Sequence, residues 1–499
     1  MKHLLGTAVL IACIGSARMG GATPGARPDI LLIMPDQFRG DCLSAVGHPV
    51  LHTPNLDALA AAGTLFRRAY STVPSCIPAR FALLTGQQPQ TSGIVGYASR
   101  PITVTTLPGG LAAAGYATAM VGRNMHQSPG SGNLGYKQQI LGSTYVPDDD
   151  YDRELRRVAP ESGGIRKVIE SLGVDTNRWP AKPWALPEEL HPTAWIVKKA
   201  RGVIAETPGE KPLFLTASFY APHPPLFPPA RFFDKFMQAS LPPVAMGSWV
   251  DQKPLRPEGD KSGARILLQG ETLRRAQAGY FGLIEHLDEQ IAPLVAEFKL
   301  RSERAGRPWI ILVTSDHGEM LGDHGYFRKC EPYEGSANIP FIIAGSPQLG
   351  LRRGAQSQVP VDLEDVMPTL YDLAGVPRPA SVDGYSVVAA LRDPAAKVRP
   401  WVHFEHAPIY SEEQGFQAMT DGHFKYIWRP KTGREQLFDL AKDPHEEHDL
   451  AAVAASSAEL KRWRERLVQR LAPRPEGFSD GVKLIAGRPY PRIQRKGTP

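Results

Sequence analysis

An unbroken apolar run, Ile30-Leu31-Leu32-Ile33-Met34, opens at Asp29 and lies between Pro28 and Pro35. No polar position alternates through it, which predicts a strand buried on both faces, as in a parallel sheet. Runs of the same kind recur at 117–121, 213–219, 309–314 and 340–344. Helical patterns lie between them, most clearly at 271–298 and 363–373. A shorter helix is marked by Thr53-Pro54, Leu56, Leu59 and a closing Gly63. Strands alternating with helices predict an α/β fold with a mainly parallel central sheet.

From Asp393 onward the pattern shortens. Strand-like pieces at 401–405, Phe416–Thr420 and Phe424–Trp428, then a polar helix at Ser457–Leu471, predict a smaller C-terminal α+β subdomain. The resulting division is a leader at 1–26, an α/β domain at 27–393 and the subdomain at 394–499. Residues 130–198 carry few periodic runs and many turn formers, so they are expected to form an irregular excursion shaping the mouth of a site. Residues 488–499 read as a trailing extension.

The leader changes the picture of where the chain works. Lys2 and His3 precede an apolar stretch at 4–14 and small residues Gly15, Ser16 and Ala17, an export signal too short to span a bilayer. Leu10-Ile11-Ala12-Cys13 also fits a lipoprotein signal, in which Cys13 becomes the lipidated first residue. The mature chain is therefore expected to be exported, periplasmic or secreted, or held by a lipid anchor, with no transmembrane segment. The net charge of +6, from 57 basic and 51 acidic residues, contains no basic run that would track nucleic acid, but it suits a small anionic substrate. Outside the leader stand Cys42, Cys76 and Cys330, an odd number at wide spacing and a poor disulfide framework. If Cys42 and Cys330 pair, Cys76 is left over.

Cys76 heads the sharpest motif, Cys76-Ile77-Pro78-Ala79-Arg80, which runs on into Phe81-Ala82-Leu83-Leu84-Thr85-Gly86. Pro78 suits the first turn of a helix, which places Cys76 at an N-terminus where free N–H groups and the helix dipole favour an anion. Asp36-Gln37 follows the first strand, and a carboxylate and an amide oxygen there can face a hard cation. Asp316-His317 follows the strand at 309–314 in the same way, and Gly322-Asp323-His324-Gly325-Tyr326-Phe327-Arg328-Lys329 comes next. Two further segments carry histidines, Gly122-Arg123-Asn124-Met125-His126 and Pro222-His223-Pro224-Pro225.

Together these segments resemble the sulfatase family of the alkaline phosphatase superfamily, from about Arg27 to Leu471. The resemblance implies that a maturation enzyme oxidises Cys76 to formylglycine. One hydroxyl of the hydrated aldehyde would attack sulfur, and deprotonation of the other would expel sulfate. It implies one divalent metal held by Asp36, Gln37, Asp316, His317 and the modified Cys76, with Ca2+ first and Mg2+ or Mn2+ as alternatives. Lys329 would bind sulfate, His223 would donate the proton to the leaving alcohol, a role shared with Lys329, and His126 would deprotonate the second hydroxyl. Arg80 belongs to the catalytic set, and Arg123 stands at a substrate-binding position where lysine is usual, with one extra residue before His126. Gln37 replaces a second aspartate, as in relatives that hydrolyse choline sulfate or phosphonate monoesters.

The expected activity is hydrolysis of a sulfate ester, of a sulfated carbohydrate (small molecule or oligosaccharide) sooner than of a simple aryl ester. Gln37 and His317 keep a phosphonate monoester or phosphodiester hydrolase as the alternative. A silent glycan-binding protein would leave Cys76 and the ligand set unexplained. Phe404-Glu405-His406, Tyr410, Trp195 and His191 are the candidates for reading a sugar, with His406 taken as substrate-binding.

Overall fold

The computed structural model describes residues 26–126, 132–144 and 146–494; the leader with Cys13 lies outside them. Eight strands form one sheet: β1 (Asp29–Asp36), β2 (Gly63–Phe66), β3 (Ala117–Gly122), β4 (Gln138–Leu141), β5 (Leu213–Pro222), β6 (Trp309–Thr314), β7 (Phe341–Gly345) and β8 (Ala355–Ser357). Their order is β4-β3-β5-β1-β6-β7-β2-β8. All neighbours run parallel except β7, which is antiparallel to both β6 and β2. β1 shows why its sequence lacks alternation. Leu31 and Ile33 join the hydrophobic core on one face, while Ile30, Leu32 and Met34 join the core on the other. Each Leu or Ile so buried contributes roughly 1.5–3 kcal/mol.

The C-terminal part forms a second, antiparallel sheet of β9 (Val402–His406), β10 (Phe416–Thr420), β11 (Phe424–Trp428) and β12 (Glu435–Asp439), covered by the helix Ser457–Leu471. Buried Lys425 anchors it to the large domain, pairing with Glu334 at 2.6 Å and donating to the Pro332 carbonyl, while Glu446 of its own subdomain stands 2.8 Å away.

Three expectations need correction. The described part of the stretch 130–198 is irregular only in part: it holds β4 and the helices Asp150–Val158, Ile165–Leu172 and Pro192–Glu206, with a long loop at 173–187. The first two helices are only two turns long, yet each buries residues at helical spacing, Tyr151 and Leu155 in one and Ile165, Val168 and Ile169 in the other. The tail is not trailing as far as residue 494. Tyr490 donates to Gln417's neighbour Glu405, the Val95 N–H donates to the Arg492 carbonyl at 3.0 Å, and Gln494 is buried. Cys42, Cys76 and Cys330 are all free and buried, so the pairing of Cys42 with Cys330 does not form. No helix among the described residues is long and apolar enough to cross a membrane.

Candidate active site

The site lies at the exits of β1 and β6, where the chain leaves the sheet. β1 keeps register with β5 up to Pro35 and then shifts at Asp36, an irregularity that re-aims the last side chain. Asp36 Oδ2 accepts from Arg80 Nη2 at 2.7 Å and faces Arg123 Nε at 3.0 Å. Its Oδ1 is buried with no hydrogen-bond partner. Asp316 Oδ2 accepts from Arg80 Nε at 2.9 Å, and its Oδ1 accepts from the backbone N–H groups of Gln37 and His317.

His317 Nδ1 donates to the Gly318 carbonyl at 2.9 Å, which leaves the Nε2 lone pair free to face inward. That nitrogen stands 3.2 Å from Cys76 Sγ, 3.7 Å from Asp316 Oδ1 and 4.0 Å from Asp36 Oδ1. One ligand atom from each of Asp36, Cys76, Asp316 and His317 lies within 4.8 Å of the others. A divalent cation fits here: the unpartnered Asp36 oxygen, a buried charge, needs a positive partner on that side. Burial, against the pull of Arg123, leaves the Asp36 carboxyl above its usual range, and the like charge of Asp316 adds to the effect.

Cys76 opens the helix Cys76–Thr85, behind an extended Ser75. Burial and Asp36 push its thiol up, yet the surrounding positive charge, Lys329 and His317 among it, leaves it below the usual range. Arg123 Nη2 reaches Sγ at 3.8 Å, and the same nitrogen lies 2.8 Å from His126 Nε2. His126 is thus linked to position 76 through Arg123. Burial and Arg123 keep it neutral, pushing its pKa down to about 2. Arg123 Cζ also sits over the Tyr220 ring, 4.4 Å from its centre.

Lys329 Nζ donates to Gln37 Oε1 at 2.6 Å and to His223 Nε2 at 2.9 Å. His223 Nδ1 donates to the Pro224 carbonyl, so at rest the shared proton sits on lysine and the histidine accepts. Arg80 is fully buried and spends its guanidinium on Asp36, Asp316 and the Asn124 carbonyl. Its geometry is that of a residue that orients the two acids, not of one that meets a substrate.

Other expected residues are placed differently. His406 is buried, donates from Nδ1 to the Ala407 carbonyl and accepts from Ser75 Oγ at 2.8 Å, so it braces the residue before Cys76 and does not face a substrate. Glu405 is locked to Arg474, and Phe404 stacks on Tyr70. His191 caps its helix by accepting from the Thr193 N–H, and Trp195 is buried against Tyr151. Tyr410 alone of this group lines a cavity of about 430 Å³, with Trp249, Arg265, Tyr326, Glu331 and Tyr333. Sequence reasoning missed Glu319, Ser75 and Tyr220, whose partners are distant in the chain.

His324 is structural. It packs against Trp249 and Tyr333 and accepts from the Gly247 N–H at 3.1 Å. Burial pushes its pKa down to about 4 from the usual 6.5, although Asp323 pulls the other way. The unfolded chain therefore binds this proton more readily, and the stability contribution is lost as pH falls from 6.5 to about 4. H324N keeps a residue that tolerates the left-handed backbone at φ 54°. Urea melts are expected to show the wild type losing about 3 kcal/mol more than H324N across that window. Parallel curves would overturn this.

The comparisons agree with the geometry. The Sulfatase family profile matches residues 28–376, and the profile described as N-sulphoglucosamine sulphohydrolase, C-terminal, matches 322–472. An arylsulfatase of Clostridium perfringens is 35% identical over 490 residues, covering 94% of this chain and 99% of the relative. A choline-sulfatase of Rhizobium meliloti is 31% identical over 443 residues, covering 85% and 82%. Among solved structures, a phosphonate monoester hydrolase of Agrobacterium radiobacter superposes with a TM-score of 0.75 at 26% identity, covering 90% of this chain and 96% of that one.

Proposed function

The chain belongs to the sulfatase family of the alkaline phosphatase superfamily and is a sulfuric ester hydrolase; from that premise we propose that it removes sulfate from a sulfated carbohydrate, using a formylglycine made from Cys76 and one divalent cation, calcium first. The observation that carries this reading is the convergence of Asp36, Asp316, His317 and Cys76 on one small volume with Lys329 beside it. Hydrated formylglycine supplies two hydroxyls on one carbon, one to attack sulfur and one whose deprotonation releases sulfate, and a bound cation supplies positive charge at the sulfuryl oxygens.

The remaining work falls to the chain's own side chains. Arg80 holds the two acids in place. Arg123 and Lys329 present fixed positive charge to an oxyanion. Lys329 Nζ carries a proton for the departing alcohol oxygen, with the His223 Nε2 lone pair on the same hydrogen bond to take up or return it. His126 is our candidate for accepting the second hydroxyl's proton; its Nε2 here accepts from Arg123, through which it is linked to position 76. The aromatic and charged cavity at Tyr410 includes Glu331, two residues after Lys329, and its lining suits a sugar ring. A maturation enzyme must act on Cys76. The pattern of the leader supports export, with lipidation at Cys13 as the second route.

A second reading rests on Gln37 and His317 together with the likeness to a phosphonate monoester hydrolase. Turnover of nitrophenyl sulfate and nitrophenyl phenylphosphonate by the matured protein separates the two, and a panel of defined sulfated sugars then finds the substrate. We expect sulfate ester turnover to dominate. A preference for the phosphonate by about 10³-fold, or roughly 4 kcal/mol in the barrier, would overturn the sulfatase reading of the reaction.

A further inference from the structure

We propose that Glu319 is a positioning residue that decides which end of the Gln37 amide faces the reaction. This rests on the reading of a divalent cation beside Asp36 and Asp316. A glutamine amide is nearly symmetric in shape, but one end only accepts and the other only donates. A carboxylate at the same position would need no steering, since both of its oxygens accept. An amide does need it, because a flip would turn an NH2 group toward Lys329 and, with Gln37 taken as a ligand, toward the cation.

The surroundings of Gln37 break that symmetry. Its Nε2 donates to Glu319 Oε2, and its Oε1 accepts from Lys329 Nζ at 2.6 Å. Lysine has only donors, and an ionised glutamate only acceptors, so the flipped amide would meet a like partner at both ends. Glu319 is itself fixed. It is fully buried, and its Oε1 accepts from the Leu321 N–H at 2.8 Å and the Arg328 N–H at 2.5 Å. All three side-chain contacts on its two oxygens come from N–H donors, so the group acts there only as an acceptor. The Gln37 backbone is pinned as well, its N–H on Asp316 Oδ1 at 3.1 Å and its carbonyl accepting from Tyr280 Oη at 2.6 Å. The side-chain orientation is the freedom that remains, and Glu319 removes it.

The test is a double-mutant cycle read by cation affinity. Full-length wild type, E319Q, Q37E and Q37E/E319Q are stripped with chelator, then titrated separately with calcium chloride and manganese chloride in a calorimeter. Thermal melts check folding. E319Q places two amides together and frees the flip, so it is expected to weaken cation binding by about 10–100-fold. In the Q37E background the same change restores a donor–acceptor pair with its polarity reversed, and should cost about threefold or less. E319Q that binds like wild type overturns the proposal. So does an equal loss in both backgrounds, which would leave Glu319 as a clamp on Leu321 and Arg328 alone. A wild type that binds neither cation overturns the cation reading and this role together.

Discussion

Replacing Cys76 with alanine is expected to cut sulfate release by on the order of 10⁴-fold or more, with the fold intact, in assays of protein co-expressed with a maturation enzyme. The loss is large because the other groups are arranged around this atom. His317, Arg123 and Lys329 all act on position 76 or on what would be bound there. Remove the nucleophile and they still bind, but nothing attacks sulfur. The fold should survive because the substitution sits at the first turn of a helix, where alanine is a good helix former, and the missing atom faces the site. C76A should also keep measurable cation affinity through Asp36, Asp316 and His317, which separates loss of chemistry from loss of the site. Peptide mass spectrometry of the wild type should find position 76 with one oxygen in place of one sulfur and two hydrogens. Near-normal turnover by C76A would sink the mechanism.

The sheet was legible because burial on both faces leaves a strand no room for polar residues. Ile30 to Met34 and the run at Trp309–Thr314 announce themselves, and so does the chemistry at their exits, since Asp36 and Asp316 stand where each run stops. Contacts that need two distant segments were not legible. Glu319 meets Gln37 across 282 residues, and His406 meets Ser75 across 331. His406 was therefore read by its neighbours, Phe404 and Glu405, at a strand end. Its actual role is set by a hydroxyl that no local pattern points to. Arg80 was found by its motif, yet its work could be assigned only once both its acids were seen on one guanidinium.

Lys329 should matter in proportion to how badly the leaving group needs a proton. A sugar alkoxide is a strong base and cannot depart without one, whereas a nitrophenolate can. K329M keeps much of the side chain's volume and deletes both the charge and the donor. It is expected to lower kcat by about 10³–10⁴-fold on a sugar sulfate and by only about 10–100-fold on nitrophenyl sulfate. The residual loss on the aryl ester is the part due to fixed charge. The gap between the two substrates is the part due to the proton. His223 should show a smaller gap of the same sign, because its Nε2 accepts from Lys329 at rest and holds no proton of its own. Equal losses on both substrates would mean that Lys329 only binds sulfate, and the proton for the alcohol would then have to come from elsewhere in the site.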